Sequence, residues 1–307
     1  MSARTGLPVL PALAILLAGA AACVRPGPGA RDVPSVLPPA PSLTAPLSSP
    51  TAVPPTETAE PAPAPSSPAT PAAEPPPDSG WEMLRDGLER RTFEIRGEDG
   101  LALERLSILR LDPARFSFAV AYQPEPKTLE TWLADSGALI ALNGGYYRAE
   151  GETLIPTGLT IVGGEAIGES YGEFAGMLAV NEDGASLRWL AQAPYESGEG
   201  LVSALQSFPL LVKPGGELGF PAELEDNQAA RRTVIAQDSS GRFLLLVAPR
   251  GYFTLHQLSA FLTASDLELD IALNLDGGPS SGLLLADPPW GESALLPLPV
   301  VILVYPR

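Results

Sequence analysis

Near the C-terminus, a carboxylate and two glycines directly follow a short apolar run. Residues 269–282 read Leu-Asp-Ile-Ala-Leu-Asn-Leu-Asp-Gly-Gly-Pro-Ser-Ser-Gly, and the first half is typical of a buried strand. A strand of this kind would hold the Asp276 carboxylate rigidly at its end. Successive backbone N–H groups after it, helped by the hydroxyls of Ser280 and Ser281, could form an anion-binding nest. The Asp-Gly pair also indicates a plain β-hairpin turn, so both interpretations are open.

A similar unit lies earlier in the chain. Residues 138–142 are typical of a buried strand, and Asn143, two glycines and two tyrosines follow it. Each of the two strands comes after a stretch with helical periodicity, residues 127–135 in one case and 254–265 in the other. If the strands lie side by side and parallel, both loops emerge at the same sheet edge, where ligands of open α/β sheets bind. Chance similarity is the alternative.

The N-terminus predicts export. Residues 1–22 of the 307 contain Arg4, a short apolar run and then small residues, the pattern of a signal peptide. The only cysteine, Cys23, follows at once, and the segment resembles a bacterial lipoprotein signal in which this cysteine is lipidated. Ala20 departs from the usual leucine at that position, and secretion with a free thiol is the alternative. We therefore expect an exported, extracytoplasmic lipoprotein that is anchored to a membrane through Cys23.

Composition then divides the rest of the chain. Residues 23–79 are dominated by Pro, Ala, Ser and Thr and predict a disordered tether with polyproline character. Residues 80–307 are long enough for one domain with a sizeable core. The first 79 residues carry three arginines and five carboxylates, a net of −2, which leaves −15 of the total −17 on the domain. Such a charge argues against nucleic acid as a partner.

Periodicity predicts an α+β domain with a mixed central β-sheet, flanked by a few helices and preceded by the disordered tether. Thr254 and Gln257 form a capping box at the start of the second helix. Prolines in the last strand, residues 295–305, suit its start and a sheet edge. The other strands are expected at residues 92–96, 105–111, 116–122, 159–162, 177–180, 187–190, 232–237 and 242–248, with an apolar stretch at 201–212 that Pro209 interrupts.

Six motifs follow one another along the chain: Asn143-Gly-Gly-Tyr-Tyr147, Pro156-Thr-Gly158, Asn181-Glu-Asp-Gly184, Arg232-Thr233-Val-Ile, Thr254-Leu255 and Leu275-Asp276-Gly-Gly-Pro-Ser-Ser281. Together they resemble the phosphodiester glycosidase domain family, from about residue 81 to the C-terminus. Three positions depart from the family pattern: Ala236 and Pro279 stand where glycine is usual, and residues 206–209 lie where the family tends to have glycines. These departures concern substrate shape more than reaction class.

The resemblance implies three catalytic residues. Cleavage of a sugar–phosphate diester at the anomeric carbon needs a cation on the phosphate, a role that suits Arg232. It also needs a carboxylate near the sugar to stabilise positive charge or activate water, a role that suits Asp276. Asn143 could bind sugar hydroxyls, and Tyr146 or Tyr147 could stack on a sugar ring. The substrate-binding residues expected beside them are Gly144, Gly145, Tyr146, Thr233, Gly277, Gly278, Ser280 and Ser281.

Two functions remain open at this stage. The first is an extracytoplasmic hydrolase that cleaves the glycosyl–phosphate bond of a sugar-1-phosphodiester in a glycan or envelope polymer. The second is a non-catalytic carbohydrate-binding lipoprotein that uses the same cleft. Arg232 has an alternative of its own, a surface ion pair with residues 223–226. His256, the only histidine, is interpreted as structural, so no zinc site is expected, whereas Ca²⁺ or Mg²⁺ at Asp276 stays open as a cofactor.

Overall fold

Antiparallel β-sheet makes up most of the regular structure in residues 77–170 and 176–307, the residues that the computed structural model describes. Two α-helices accompany it, α1 (Leu129–Ser136) and α2 (Leu255–Ala264), with short 3₁₀ turns at Ala222–Leu224 and Gly278–Ser280. The strands are β1 (Glu82–Arg85), β2 (Leu88–Arg96), β3 (Ala102–Leu111), β4 (Phe116–Lys127), β5 (Ile140–Asn143), β6 (Tyr147–Glu150), β7 (Thr153–Pro156), β8 (Thr160–Val162), β9 (Glu165–Ile167), β10 (Gly176–Asn181), β11 (Gly184–Trp189), β12 (Ser203–Ser207), β13 (Leu210–Lys213), β14 (Glu217–Leu218), β15 (Arg232–Asp238), β16 (Phe243–Ala248), β17 (Leu269–Asn274), β18 (Leu283–Leu285), β19 (Trp290–Glu292) and β20 (Leu298–Pro306).

Three sheets carry nearly all of these strands. The large sheet has the order β1-β2-β3-β16-β15-β17-β13-β14, and the β5 sheet has the order β19-β18-β5-β20-β4. A third sheet has the order β11-β10-β12-β8-β9, and β6 pairs with β7 alone. The fold is therefore richer in β-structure than the expected α+β domain, and the described pairings give no mixed sheet. The parallel neighbours expected in residues 138–142 and 269–275 are wrong, because β5 and β17 belong to different sheets.

The sheets enclose one apolar core, and the helices cover outer faces. Ile235 of β15 and Ile302 of β20 point into this core together with side chains of the third sheet. Val234, on the opposite face of β15, packs in a second cluster with α2 residues such as Leu258. Val301 of β20 packs likewise against α1. Because both faces of these strands are buried, their sequences are continuous apolar runs rather than alternating ones.

Both helices begin and end where the sequence predicts. The Thr128 hydroxyl accepts a hydrogen bond from the backbone N–H of Thr131 at the start of α1, and Gly137 ends that helix with φ +67°. In α2 the predicted capping box is confirmed, since the Thr254 and Gln257 side chains each accept the other's backbone N–H. This capping box fixes the path of the chain from β16 into α2.

Most predicted strands are confirmed, with one correction. The apolar stretch 201–212 is interrupted at Pro209 as expected, and it forms two strands, β12 and β13, on either side of a cis Phe208–Pro209 bond. Strand β20 lies between β5 and β4, so its expected edge position is wrong. A register shift between Leu298 and Val300 accommodates Pro299 there without a ladder hydrogen bond. Residues 1–76 lie outside the described part, so the signal peptide, Cys23 and most of the tether stay predictions. Within the described residues, no helix is both long enough and apolar enough to cross a membrane.

Candidate functional site

Antiparallel register brings the two main candidates together. Strands β15 and β17 pair with Val234 opposite Asn274, at the end of β17. Main-chain hydrogen bonds continue past this end, from the Leu275 N–H to the Thr233 carbonyl at 2.9 Å and from the Gly278 N–H to the Arg231 carbonyl at 2.8 Å. Side chains alternate along a strand, so Arg232 lies on the α2 face of the large sheet, together with Val234. The start of β15 and the loop that carries Asp276 are therefore brought together by antiparallel neighbours rather than by two parallel strands.

Arg232 is a buried cation without a carboxylate partner. The residue is 7% exposed; its Nε lies 3.3 Å from the Phe253 carbonyl and its Nη2 lies 2.5 Å from the Gln228 carbonyl. Within the described part of the chain no carboxylate is within ion-pair distance of it, so the expected alternative of a surface ion pair with residues 223–226 is wrong. Burial lowers the pKa of Arg232, while Tyr146 and, at longer range, the charges of Asp226 and Glu225 act in the opposite direction; the guanidinium remains charged at neutral pH.

The remaining nitrogen of that guanidinium faces the loop after β17. A Cβ placed on Gly277 would lie 3.5 Å from the Arg232 Nη1 atom, so the absence of a side chain keeps space beside this nitrogen. An unpaired buried charge raises the free energy of the folded protein unless an anion compensates it. The Arg232 guanidinium is therefore suited to bind the phosphate group of a substrate.

The Asp276 carboxylate is partly buried, and its charge, like that of Arg232, acts on Tyr146. Burial raises the pKa of Asp276 above the ordinary value of an aspartate, although hydrogen bonds from the Ser280 side chain and the Gly277 N–H act in the opposite direction. The Gly277 N–H lies 2.9 Å from Asp276 Oδ1. The Asp276 backbone N–H donates to the Gly144 carbonyl at 3.1 Å, so the loop after β5 helps to fix the carboxylate. A carboxylate held in this way, with a raised pKa, is typical of a functional group.

Asn143 connects the two loops, and both polar atoms of its side chain are hydrogen-bonded within the protein. Its Nδ2 donates to the Asp276 carbonyl at 2.8 Å and to the Gly144 carbonyl at 3.1 Å, while its Oδ1 accepts from the Gly282 N–H at 3.0 Å. The residue is 1% exposed. This geometry favours a positioning role for Asn143 over the expected contact with sugar hydroxyls.

Asn274 is a site residue that sequence reasoning missed. It is fully buried, and its Nδ2 donates to the Tyr146 hydroxyl at 3.0 Å, the Phe208 carbonyl at 3.1 Å and the Leu275 carbonyl at 2.7 Å. The signal was present, because Ile-Ala-Leu-Asn occurs at 140–143 and again at 271–274. The similarity of the two strand-and-loop units in the sequence matches Asn143 with Asp276, because each precedes two glycines. In the structure, the residue equivalent to Asn143 is Asn274.

Tyr146 presents its hydroxyl rather than its ring. The ring stacks on Phe208 with centroids 4.6 Å apart and an interplanar angle of 28°, so one face is already covered. Burial and the Asp276 charge raise the pKa of Tyr146, while Arg232 acts in the opposite direction. The hydroxyl accepts from Asn274, which leaves its own hydrogen to donate to a ligand oxygen. Tyr147 begins β6 and pairs with Pro156.

The expected anion-binding nest after Asp276 is wrong. Every N–H in this loop has a protein acceptor: Gly277 donates to Asp276, Gly278 to the Arg231 carbonyl at 2.8 Å, and the two serines to carbonyls within the loop. Pro279 has no N–H. The hairpin interpretation is wrong as well, since β17 pairs with β15 and β13, whereas the next strand, β18, pairs with β5 and β19. The loop crosses from one sheet to another, and Arg232 is the anion-binding group that remains.

Other predicted binding residues support the loops from inside. A Cβ on Gly144 would come within 2.9 Å of a Leu205 methyl group, and one on Gly145 within 2.8 Å of the Gln206 carbonyl. Close backbone packing thus explains both glycines. Thr233 and Ser281 are fully buried, with side-chain oxygens that have no hydrogen-bond partner in the described residues.

Metal ligands are sparse around the carboxylate. In residues 77–170 and 176–307, no three His, Cys, Asp or Glu side chains are grouped so that they could hold a metal ion. His256 begins α2, with Nδ1 2.9 Å from the Phe220 carbonyl and its backbone N–H on Glu225, contacts that suit the structural role expected for it.

Comparison with known proteins places this site in a family. The family model described as phosphodiester glycosidase matches residues 136–305, which include Asn143, Arg232 and Asp276. The catalytic domain of zebrafish N-acetylglucosamine-1-phosphodiester alpha-N-acetylglucosaminidase, auto-inhibited by its pro-peptide, has a similar fold, with a TM-score of 0.55 and 18% identity over 78% of this chain and 87% of that one. A hypothetical protein from Synechocystis is also similar, with a TM-score of 0.52 and 14% identity over 76% and 65% of the two chains. No curated protein matches the sequence. Because the family model spans more than half of the chain, the protein belongs to the phosphodiester glycosidase family.

Proposed function

We propose that this protein is an extracytoplasmic hydrolase that cleaves the glycosyl–phosphate bond of a sugar-1-phosphodiester in a glycan or envelope polymer. The observation that carries the proposal is the convergence of two groups on Tyr146: Arg232, a buried cation with no ion pair in the described residues, and Asp276, a carboxylate whose pKa is raised by burial. Family membership supports the reaction class.

The two side chains have complementary roles in this reaction. Arg232 holds the phosphate through Nη1, and the Tyr146 hydroxyl donates a second hydrogen bond to it. Asp276 lies on the sugar side, where it stabilises positive charge at the anomeric carbon or takes a proton from water. The oxygen of water joins the anomeric carbon, the bond from that carbon to the phosphate oxygen breaks, and the electron pair leaves with the phosphate. Asn143 and Asn274 position the loops that hold these groups.

The position of the cleaved bond tests this proposal directly. Purified protein is incubated in ¹⁸O-labelled water with a panel of sugar-1-phosphodiesters, and both products are analysed by mass spectrometry. We expect the label in the sugar hydroxyl and none in the phosphate monoester. Label in the phosphate would indicate a phosphodiesterase and overturn the proposal. Binding of the substrates without cleavage would instead support the carbohydrate-binding alternative.

The cellular setting is part of the proposal and rests on the sequence. Cys23, directly after the signal-like residues 1–22, is the lipidation site, and the tether holds the domain away from the membrane. Cys23→Ser should therefore move the protein from the membrane fraction to the soluble exported fraction. Equal fractionation of the two forms would contradict the lipid anchor.

A further inference from the structure

A large apolar groove lies beside the candidate site. Its volume is about 690 Å³, within the range of roughly 300–1,000 Å³ that small-molecule sites occupy. Ring faces and aliphatic groups line it, among them those of Trp189, Phe208, Phe220 and Leu224, with Lys213 as the cation in the lining. Nothing in the roles proposed for Arg232 and Asp276 requires such a surface.

Both walls of the groove lead to the site. On one side, Phe208 stacks on Tyr146, and the Phe208 and Pro209 carbonyls accept hydrogen bonds from the side chain and the backbone of Asn274. On the other side, the segment that contributes Phe220 and Leu224 continues to Gln228. The carbonyl of Gln228 holds the Arg232 guanidinium. A ligand with its phosphate on Arg232 is therefore beside the groove.

The polar main-chain groups of the walls are already used. The Phe220 N–H donates to Ser259 Oγ at 3.1 Å, and the Phe220 carbonyl bonds to the His256 ring. The Gly219 N–H donates to the Leu211 carbonyl at 2.9 Å. A peptide backbone in the groove would find few partners for its own amides, which is unfavourable, whereas a hydrocarbon chain needs none. Lys213 Nζ, 5.2 Å from the centre of the Trp189 ring, places a cation in the lining and favours an anionic amphiphile.

We infer that this groove binds a hydrocarbon chain in the aglycone of the substrate, so that the substrate is a sugar-1-phosphate diester of an apolar alcohol; the inference rests on the proposed function. Hydrolysis then releases the free sugar and an alkyl phosphate. The oxygen of water becomes the sugar C1 hydroxyl, one proton of that water passes through Asp276 to solvent, and the phosphate oxygen leaves with the electron pair of the broken bond. The groove holds the leaving group.

Binding of alkyl phosphates tests the groove independently of catalysis. Butyl and octyl phosphate are titrated into the full chain by calorimetry, below the concentration at which octyl phosphate forms micelles. Each buried methylene strengthens binding by up to roughly fourfold, so we expect octyl phosphate to bind at least about tenfold more tightly than butyl phosphate. Equal affinity for the two compounds would overturn the inference.

Two variants in the groove and one matched control locate the effect. Leu224 is 58% exposed and Ala191 is also exposed, so Leu224→Gln and Ala191→Trp should leave the fold intact while one removes apolar surface and the other fills the groove. Both should reduce the advantage of octyl over butyl phosphate, by roughly fivefold for Leu224→Gln. Leu101→Gln, at a 66% exposed leucine outside the groove, should leave it unchanged. An advantage that persists in both groove variants would overturn the inference.

Hydrolysis separates this inference from the proposed function. Methyl and octyl diesters of the same sugar 1-phosphate are compared. We expect a lower KM for the octyl diester, and Leu224→Gln should reduce this advantage by roughly fivefold. Equal KM values with normal cleavage would overturn the aglycone assignment and leave the proposed function standing. Cleavage of neither diester would overturn both. A synthetic peptide of residues 54–76 is added in competition with octyl phosphate. If the peptide displaces octyl phosphate, the tether is the occupant of the groove and the inference is overturned.

Discussion

Two strands of this protein carry the same four residues, Ile-Ala-Leu-Asn, and lead into different chemistry. Strand β5 ends at Asn143 and β17 at Asn274; both asparagines are buried, and each amide donates to the carbonyl of the next residue. Each also reaches across to the other loop, Asn143 to the Asp276 carbonyl and Asn274 to the Tyr146 hydroxyl. The repeated amide is therefore a reciprocal clamp between two sheets.

The two loops differ in the residues that come directly after the clamp. After Asn143 come two glycines whose backbones pack against Leu205 and the Gln206 carbonyl, and this loop supplies close packing. After Asn274 the chain continues for one more residue and then reaches Asp276, in a loop that stays hydrogen-bonded to the start of the neighbouring strand β15. The amides thus form a scaffold, and the carboxylate two residues beyond one of them supplies the chemistry. Substitutions on the two sides of this comparison should affect different quantities.

Asp276→Asn should have the largest effect. It removes the carboxylate charge, which interacts with positive charge that develops on the sugar only in the transition state. We therefore expect kcat to fall about 10²- to 10³-fold while KM changes little. The measurement is steady-state hydrolysis of a sugar-1-phosphodiester, with Asp183→Asn at an exposed turn as the matched control. Full activity of the Asp276→Asn protein would show that the carboxylate belongs to the scaffold after all.

Asn143→Ala should act on stability instead. The change leaves the Gly282 N–H and the Asp276 carbonyl without their buried partner, and we expect a loss of about 2–3 kcal/mol in the free energy of unfolding. Asn274→Ala should cost less, because the Asn274 Oδ1 accepts no hydrogen bond in the described residues and no backbone N–H is left unpaired. Urea denaturation of the two variants gives both values. An equal or larger loss for Asn274→Ala would contradict the clamp as described.

The sequence predicts a feature of these two regions well when the interactions that determine it join residues close together in the chain. Capping boxes and apolar runs act over a few residues, and Thr254, Gln257 and both Ile-Ala-Leu-Asn strands were recognised from them. Sheet membership depends on partners far along the chain, and so the sequence leaves open whether β5 and β17 are parallel neighbours; they lie in different sheets.

The candidate site shows the same limit. The sequence indicates Asp276 through its position at the end of a buried strand, and the family resemblance implies Arg232. The nest was wrong because the Gly278 N–H bonds to the carbonyl of Arg231, a residue 47 positions away along the chain. The sequence allows the Tyr146 ring to stack on a sugar. It does not predict that Phe208 covers one face of this ring, because that contact is also between residues far apart in the chain.

Arg232→Ala should weaken substrate binding. Arg232 holds phosphate in the ground state and the transition state alike, so KM should rise roughly 10- to 100-fold with a smaller change in kcat. Discrimination between a sugar phosphodiester and a simple glycoside of the same sugar should shrink in parallel. Kinetics with both substrates measure this effect. An unchanged preference for the phosphodiester would show that the phosphate lies elsewhere.

The smallest expected effect is a gain in stability when the Asp276 charge is removed. Burial raises the pKa of Asp276 in the folded protein above its value in the unfolded chain, which is about 3.9. Between the two pKa values the folded state binds more protons than the unfolded state, so stability falls as the pH rises through this window. Above the window, the ionised carboxylate destabilises the fold.

Asp276→Asn should therefore melt a few degrees higher than the wild type at neutral pH. The difference should shrink as the pH falls and vanish below the unfolded pKa, because Asp276 is then protonated in both states. The Asn side chain can still accept the Gly277 N–H, so the comparison isolates the charge. Melting curves from pH 3 to 8 measure it, with Asp183→Asn expected to show no such trend. A variant that melts below the wild type at every pH would place Asp276 with the asparagines, as a residue that stabilises the scaffold.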